Sequence, residues 1–148
     1  MTAPPARKQP ELALPTSQLL VGHVLAGAAA AILWTLGVLE GGHGTTLLLQ
    51  GLCEVLLVVL VAAGTTLLLQ PWVVRPAMTW AMLVLGGSLL KLVLTASLSV
   101  LLYFAAQMPV KGLLIAGFVA FLSNLIIETI LIARSLSRAP LPEPPPTS

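Results

Sequence analysis

The sequence predicts an all-α protein: an integral membrane four-helix antiparallel bundle with disordered, proline-rich termini. Of its 148 residues, 57% are hydrophobic and 8% are charged, whereas about 25% are charged in an average soluble domain. A chain this small cannot bury so many apolar side chains, so its outer surface must face lipid. The apolar residues also fall into four segments, each long enough for a helix to cross a bilayer.

Prolines and glycines divide the chain into these segments. Nine of the 12 prolines lie near the two ends, and the other three are Pro71, Pro76 and Pro109. A proline inside a helix costs about 3 kcal/mol, and lipid offers no water to replace the lost hydrogen bond. Together with the glycine cluster at 41–44, these prolines bound four predicted transmembrane helices, at about 17–39, 45–70, 77–106 and 110–134.

The two ends of the chain have a composition that builds no core. Residues 1–16 and 136–148 hold the remaining prolines among polar and small residues, so we predict disordered tails around a transmembrane domain at 17–135. Arg7 and Lys8 before an apolar run also fit a cleaved signal peptide. The apolar run continues to Trp34, however, and this length favours a retained first helix.

The distribution of basic residues predicts the orientation in the membrane. Short loops make neighbouring helices antiparallel, so both ends of the chain and the loop at 71–76 share one side. Five basic residues lie on that side and only Lys111 lies on the other, which places both termini in the cytoplasm. Trp72 and Trp80 are expected at the cytoplasmic interface. The five basic residues are Arg7, Lys8, Arg75, Arg134 and Arg138.

Polar side chains recur within the apolar segments at similar depths. When each hairpin is folded about its loop, Asn124, Glu128 and Glu54 each lie about 3 Å from the depth of Lys91. A lysine facing lipid there would cost about 3 kcal/mol or more, so we predict that these four residues form an inward-facing cluster. Two carboxylates near one ammonium do not balance, so either one glutamate is protonated and neutral, or a proton or cation is shared at the site. The alternative is a structural Lys91–glutamate pair, with the other glutamate reaching an interface.

Small residues on the first and third helices favour close helix packing. Gly22, Ala26 and Ala30 follow a small-xxx-small spacing, although an alanine-rich helix without a dedicated partner shows the same pattern. Gly87 begins a four-residue stripe that continues through Lys91 to Thr95 and Ser99.

Other chemistry is poorly supported by the sequence. His23 and His43 are interpreted as polar groups near helix ends, and no spacing joins them to other ligands, so we predict neither a metal site nor a cofactor. No serine, threonine or cysteine has a base at a suggestive spacing, which disfavours an enzyme. The absence of an arginine-rich or aromatic-interleaved basic stretch disfavours nucleic-acid binding.

The third and fourth segments resemble a known family. The small residues before a lysine in Gly86-Gly87-Ser88-Leu89-Leu90-Lys91, the aliphatic run to a loop at Pro109, and Gly117-Phe118 in the next helix are similar to ATP synthase protein I. The resemblance covers residues 86–134. It implies a four-helix protein of the bacterial inner membrane, proposed to assist assembly of the c-subunit ring, with a suggested link to divalent-cation supply. Lys91 is the position that carries over.

The chain also departs from that family. Its loop at 71–76 is shorter than the polar loop that family members tend to have, and neither Glu54 nor Glu128 matches a family position. Their roles therefore remain unassigned by the resemblance.

Three functions follow as expectations. The first is a non-enzymatic accessory or assembly factor that contacts ATP synthase membrane subunits, the c ring among them, through glycine and alanine stripes. The second is a small proton- or cation-linked transporter or channel that uses Glu54, Lys91 and Glu128. It would be a homo-oligomer, because four helices enclose little space. The third is a membrane scaffold whose charges tolerate substitution. The lipid bilayer is a partner in all three.

Overall fold

The computed structural model describes residues 11–107 and 110–138. Four helices make up the fold, and each is long and apolar enough to cross a membrane, with mean hydropathy between 1.9 and 2.3. The predicted all-α four-helix membrane fold is therefore confirmed. The helices are α1 (Thr16–Glu40), α2 (Thr45–Leu68), α3 (Ala77–Ala106) and α4 (Val110–Ser137).

Two helix ends differ from the sequence prediction. Helix α2 ends at Leu68 rather than at residue 70, and Gln70 has a left-handed φ of 51°. The following Pro71 explains this, because a proline disfavours helical backbone at the residue before it. Helix α4 runs three residues further than predicted, to Ser137. Met108 and Pro109, in the predicted third loop, lie outside the described residues.

The short connections give an up-and-down bundle with two distinct ends. We call the end with the α2–α3 connection and the start of α1 the terminal end, and the opposite end the hairpin end. Helices α1, α2 and α4 pack against one another, while α3 packs on α2 and α4. Only 17% of the most apolar stretch of α3 is buried, compared with 28–33% for the other helices. The chain itself therefore covers α3 least.

The residues just before α1 are ordered against the bundle, contrary to the prediction of a disordered tail up to residue 16. Glu11–Leu12 forms a short antiparallel pair, β1, with β2 at Arg75–Pro76. The Leu14 amide donates to the Pro71 carbonyl at 2.8 Å, and the Leu14 side chain is buried. This short segment satisfies backbone groups of the α2–α3 connection that the helices leave unpaired. Residues 1–10 and 139–148 lie outside the described part of the chain.

Trp80 also differs from expectation, because it is buried rather than exposed at the interface. It packs with Leu14, Leu19 and Ile132 in a core cluster. Its indole Nε1 donates to the Leu12 carbonyl at 2.7 Å. The N-terminal segment therefore supplies the hydrogen-bond partner that a buried tryptophan needs. Trp72, by contrast, is exposed.

Small residues allow the helices to approach closely. Gly22 lies against α4, where a Cβ atom on it would stand 2.7 Å from Leu131 Cδ1. Ala26 and Ala30 have no exposed surface. Gly87 of α3 lies against Leu69, and a Cβ atom on Gly87 would stand 2.9 Å from Leu69 Cδ1. The predicted packing residues therefore face neighbours within the same chain.

Candidate functional site

The polar residues inside the bundle form three hydrogen-bonded groups, and three of the four predicted cluster residues, Lys91, Asn124 and Glu128, line one small cavity. The first is an ion pair between Lys91 of α3 and Glu128 of α4. The Lys91 Nζ lies 2.6 Å from both Glu128 carboxylate oxygens, and both side chains are more than nine-tenths buried. Gly87, Lys91 and Thr95 follow one another at a spacing of four residues on α3, and all three are buried. They therefore share one inward face of the helix. This pair neutralises one of the two buried carboxylates.

The second group is a buried hydrogen-bonded triad of His23, Thr66 and Asn124, one residue from each of α1, α2 and α4. His23 Nδ1 lies 3.0 Å from Asn124 Oδ1, and Nε2 lies 2.8 Å from Thr66 Oγ1. Asn124 Nδ2 donates to the Ala120 carbonyl, so its Oδ1 is the acceptor of the histidine proton. His23 therefore carries a proton on Nδ1 and donates it to Asn124 Oδ1, while its Nε2 is bonded to the Thr66 hydroxyl.

His23 was interpreted from the sequence as a polar group at a helix end, and this interpretation was wrong because the side chain is buried. Two features of the sequence indicate that His23 is buried. Gly22 and Ala26 flank it on a face made for close packing. Folding the first hairpin about residues 41–44 also brings His23 within about one helical turn of the depth of Thr66.

The third group contains Glu54 of α2, which has no exposed surface. Its Oε1 accepts a short hydrogen bond from Ser99 Oγ of α3. Gly117 of α4 leaves room for the carboxyl group, because a Cβ there would lie 2.9 Å from Glu54 Oε1. The sequence placed Glu54 within reach of Lys91, but the ion pair that Lys91 forms is with Glu128. The Glu54 carboxyl is therefore left without a cation from the described residues.

Glu54 lies in the wall of a groove between α3 and α4. The groove has a volume of about 580 Å³ and occupies the half of the membrane nearer the hairpin end. Exposed Phe104, Leu114 and Phe118 line it, so it opens sideways towards lipid. Its remaining lining is mostly apolar, with Glu54, Thr95, Ser99 and Tyr103 as the polar side chains.

Two buried polar atoms in this groove have no hydrogen-bond partner. They are Glu54 Oε2 and Thr95 Oγ1, and they are the unpartnered buried side-chain atoms found in residues 11–107 and 110–138. Both residues line the groove. Buried polar groups are nearly always hydrogen-bonded, so these two atoms are where the bundle's own hydrogen bonding is incomplete within the described residues.

Thr95 connects the groove with the interior of the bundle. It also lines a small cavity of about 10 Å³ beside Lys91, Asn124 and Glu128. That volume is about the space of one water molecule. Polar groups therefore continue from the groove to the ion pair and then, through Asn124, to His23.

The part of the chain that the structure describes brings together no group of three His, Cys, Asp or Glu side chains able to hold a metal ion. Comparison with protein-family models, curated proteins and solved structures finds no match to this chain.

Proposed function

We propose that the protein is a non-enzymatic, proton- or cation-linked membrane transporter in which Glu54 is the exchangeable binding group. The observation that supports this is the fully buried Glu54 carboxyl, which has one free oxygen in the wall of a groove. An unpaired carboxylate at such a depth is strongly disfavoured. A proton or another cation must therefore neutralise it, and the groove provides a route of exchange.

The Lys91–Glu128 pair has a different role in this proposal. Its two charges neutralise each other within one bidentate contact. Removing a proton from the Lys91 ammonium, or adding one to the Glu128 carboxylate, would leave the other charge uncompensated in a medium where that is costly. The pair therefore fixes the register of α3 on α4, and ion exchange takes place at Glu54.

The groove of a single bundle is confined to the half nearer the hairpin end. The terminal half is filled by the His23 triad and the cluster of Trp80, Leu14, Leu19 and Ile132. We therefore assign transport to a homo-oligomer in which the weakly covered α3 faces another copy. Mass measurement of the protein in lipid nanodiscs tests this, and a monomer that retains full flux would exclude it.

The experiment that tests the function is ion flux in proteoliposomes loaded with a pH-sensitive dye. The wild-type protein is expected to dissipate an imposed proton or monovalent-cation gradient, and Glu54→Gln is expected to reduce the rate at least about tenfold, the effect of losing one essential proton-transfer group. Cys53→Ala is the matched control, because Cys53 is the exposed neighbour of Glu54 on the same helix. Equal flux in Glu54→Gln and wild-type protein would reject the proposal.

A second candidate function is the accessory role in the membrane sector of ATP synthase, acting through helix contacts. The small coverage of α3 favours it, because an exposed helix can receive a partner. The glycine and alanine stripes do not supply that contact surface, since they are buried within the chain. In this role the outer face of α3 meets the partner.

Photocrosslinking in native membranes tests this second function. A crosslinking residue at Leu89 or Val93 of α3 is expected to capture synthase membrane subunits, whereas Val24 of α1 and Leu60 of α2 are controls of similar exposure. Equal capture from all four positions, or no synthase subunit from α3, would count against it.

The proposed orientation places both termini in the cytoplasm of a bacterial inner membrane. The basic residues Arg75, Arg134 and Arg138 near the terminal end support it. Labelling of single cysteines at Arg138 and His43 by an impermeant reagent in intact cells tests it, in a Cys53→Ala background. Labelling at position 43 alone is expected, and labelling at position 138 alone would reverse the orientation.

A further inference from the structure

We propose that the α3–α4 groove binds a lipophilic amine, a molecule with an apolar body and one protonated nitrogen, and that the nitrogen binds Glu54. This inference names the cation of the transport function proposed above, and it rests on that function only for its biological role. Binding itself follows from the groove and is testable without transport.

Charge balance is the first reason. The buried ionic side chains of the described residues are Glu54, Glu128 and Lys91. Lys91 is paired with Glu128, and His23 bonds Asn124 and Thr66 rather than Glu54. Among the described residues, Glu54 is therefore the buried ionisable group without a partner of opposite charge, and it lines the groove.

Hydrogen-bond geometry is the second reason. Glu54 Oε2 and Thr95 Oγ1 both lack a partner among the described residues, and both residues line the groove. A protonated amine has several N–H donors around one centre, so it can bond both oxygens. A proton on Glu54 would neutralise the carboxyl group but would make no use of the apolar volume beside it.

The oxygen supply argues against a divalent metal ion as the occupant. Calcium takes six to eight oxygen ligands and magnesium takes six. The groove offers four side-chain oxygens near Glu54, namely its two carboxylate oxygens and the hydroxyls of Ser99 and Thr95. Most of the remaining lining is apolar, which suits a hydrocarbon body and not a hydrated ion.

The size of the groove, about 580 Å³, suits a small molecule. Small-molecule sites measure about 300–1,000 Å³ and combine apolar walls with a few fixed polar groups. The groove has both properties, and its opening towards lipid admits a ligand that partitions into the bilayer.

The test measures binding of radiolabelled dodecylamine to the full-length protein in detergent micelles by scintillation proximity. Dodecanol, which has the same chain without the charge, is the matched competitor. We expect saturable binding that unlabelled dodecylamine displaces and dodecanol does not. Glu54→Gln is expected to weaken binding at least about tenfold, because it removes the charge-assisted hydrogen bond.

Two further variants keep the test decisive if Glu54→Gln folds poorly. Ala96→Phe fills the groove without altering a polar group, and it is expected to weaken binding at least about tenfold. Ala29→Phe places the same ring on the exposed face of α1 and is expected to leave binding unchanged. Thr95→Val removes one unpartnered hydroxyl and is expected to weaken binding about threefold to tenfold.

Three results would overturn the inference: absence of displaceable binding, equal displacement by dodecanol, or equal binding by the Ala96→Phe and Ala29→Phe proteins. These results are separate from the flux assay. Proton flux that depends on Glu54, without amine binding, would preserve the transport function and reject the amine. Amine binding without any flux would reject transport and preserve this site.

Discussion

The two halves of this bundle treat their buried polar groups in opposite ways. Towards the terminal end, His23 has a partner on each ring nitrogen, and Lys91 and Glu128 satisfy each other. In the half nearer the hairpin end, Glu54 Oε2 and Thr95 Oγ1 have none. A completed network holds helices together, whereas an incomplete one beside a groove has capacity for a ligand. This contrast is why we propose a structural role for the first half and a binding function for the second.

The largest loss of stability is expected when the Lys91–Glu128 ion pair is broken. Glu128→Gln leaves the Lys91 ammonium buried without its counter-ion, and we expect a loss of about 3–5 kcal/mol of stability. Glu54→Gln is the matched control, because glutamine retains an oxygen for the Ser99 hydroxyl, and we expect little loss. Unfolding titrations in mixed micelles measure both. Equal losses would remove the distinction between the two carboxyl groups.

The pair can be tested further by removing both charges together. Lys91→Met with Glu128→Gln leaves no uncompensated charge, so the double variant is expected to regain most of the stability that either single variant loses. Additive losses in the same titrations would show that the two residues do not act as a pair.

The His23 triad is expected to give the next largest effect. His23→Ala leaves Asn124 and Thr66 without a shared partner and opens a space between three helices, so we expect a loss of about 2–3 kcal/mol. His43→Ala is the control, since His43 is exposed in the α1–α2 connection. Thermal unfolding followed by circular dichroism compares them. An equally small change in both would mean that the triad contributes nothing to stability.

Substitution of two glycines on α2 is expected to change stability by a smaller amount again. A Cβ on Gly51 would clash with Trp34 Nε1, whereas one on Gly64 would meet nothing within 4 Å. Gly51→Ala must displace the Trp34 ring, at a cost of about 1–3 kcal/mol. Gly64→Ala is expected to be neutral or to stabilise by up to about 1 kcal/mol. The same unfolding measurement checks both, and the reverse order would contradict the packing of α1 on α2.

The smallest expected effect is at Thr95. Its hydroxyl has no partner, so Thr95→Val loses no hydrogen bond and is expected to change stability by less than about 0.5 kcal/mol. Thr66→Val, which removes the hydroxyl bonded to His23, is expected to lose about 1 kcal/mol. Equal effects in unfolding titrations would indicate that Thr95 already has a partner in the folded protein.

Much of the fold follows from the sequence because lipid leaves few alternatives. Helices are the simplest way to satisfy a backbone in hydrocarbon, and Pro71 and Pro76 mark where they stop. The periodicity of Lys91 with Gly87 and Thr95 also indicates which face points inward. Within one helix, the sequence therefore indicates how deep a residue lies in the membrane and whether it is on the inward face.

What the sequence could not give was the choice of partner between helices. At similar depth, Glu54 and Glu128 are both candidates for Lys91, and the rotation of α2 about its axis decides between them. For the same reason the burial of His23 could not be predicted, because its partners come from two other helices. The short β1–β2 pair was not predicted, because strands of two residues are too short to show an alternation of polar and apolar side chains. This pair explains the burial of Trp80.

Infrared difference spectroscopy of the carboxyl groups tests the central claim most directly. Spectra are recorded with and without added cation, and across pH, on wild-type protein, Glu54→Gln and the Lys91→Met/Glu128→Gln double variant. We expect a carboxyl signal that responds to proton and cation, disappears in Glu54→Gln and persists in the double variant. A signal that persists in Glu54→Gln and disappears in the double variant would contradict the account, because it would place ion exchange at the pair.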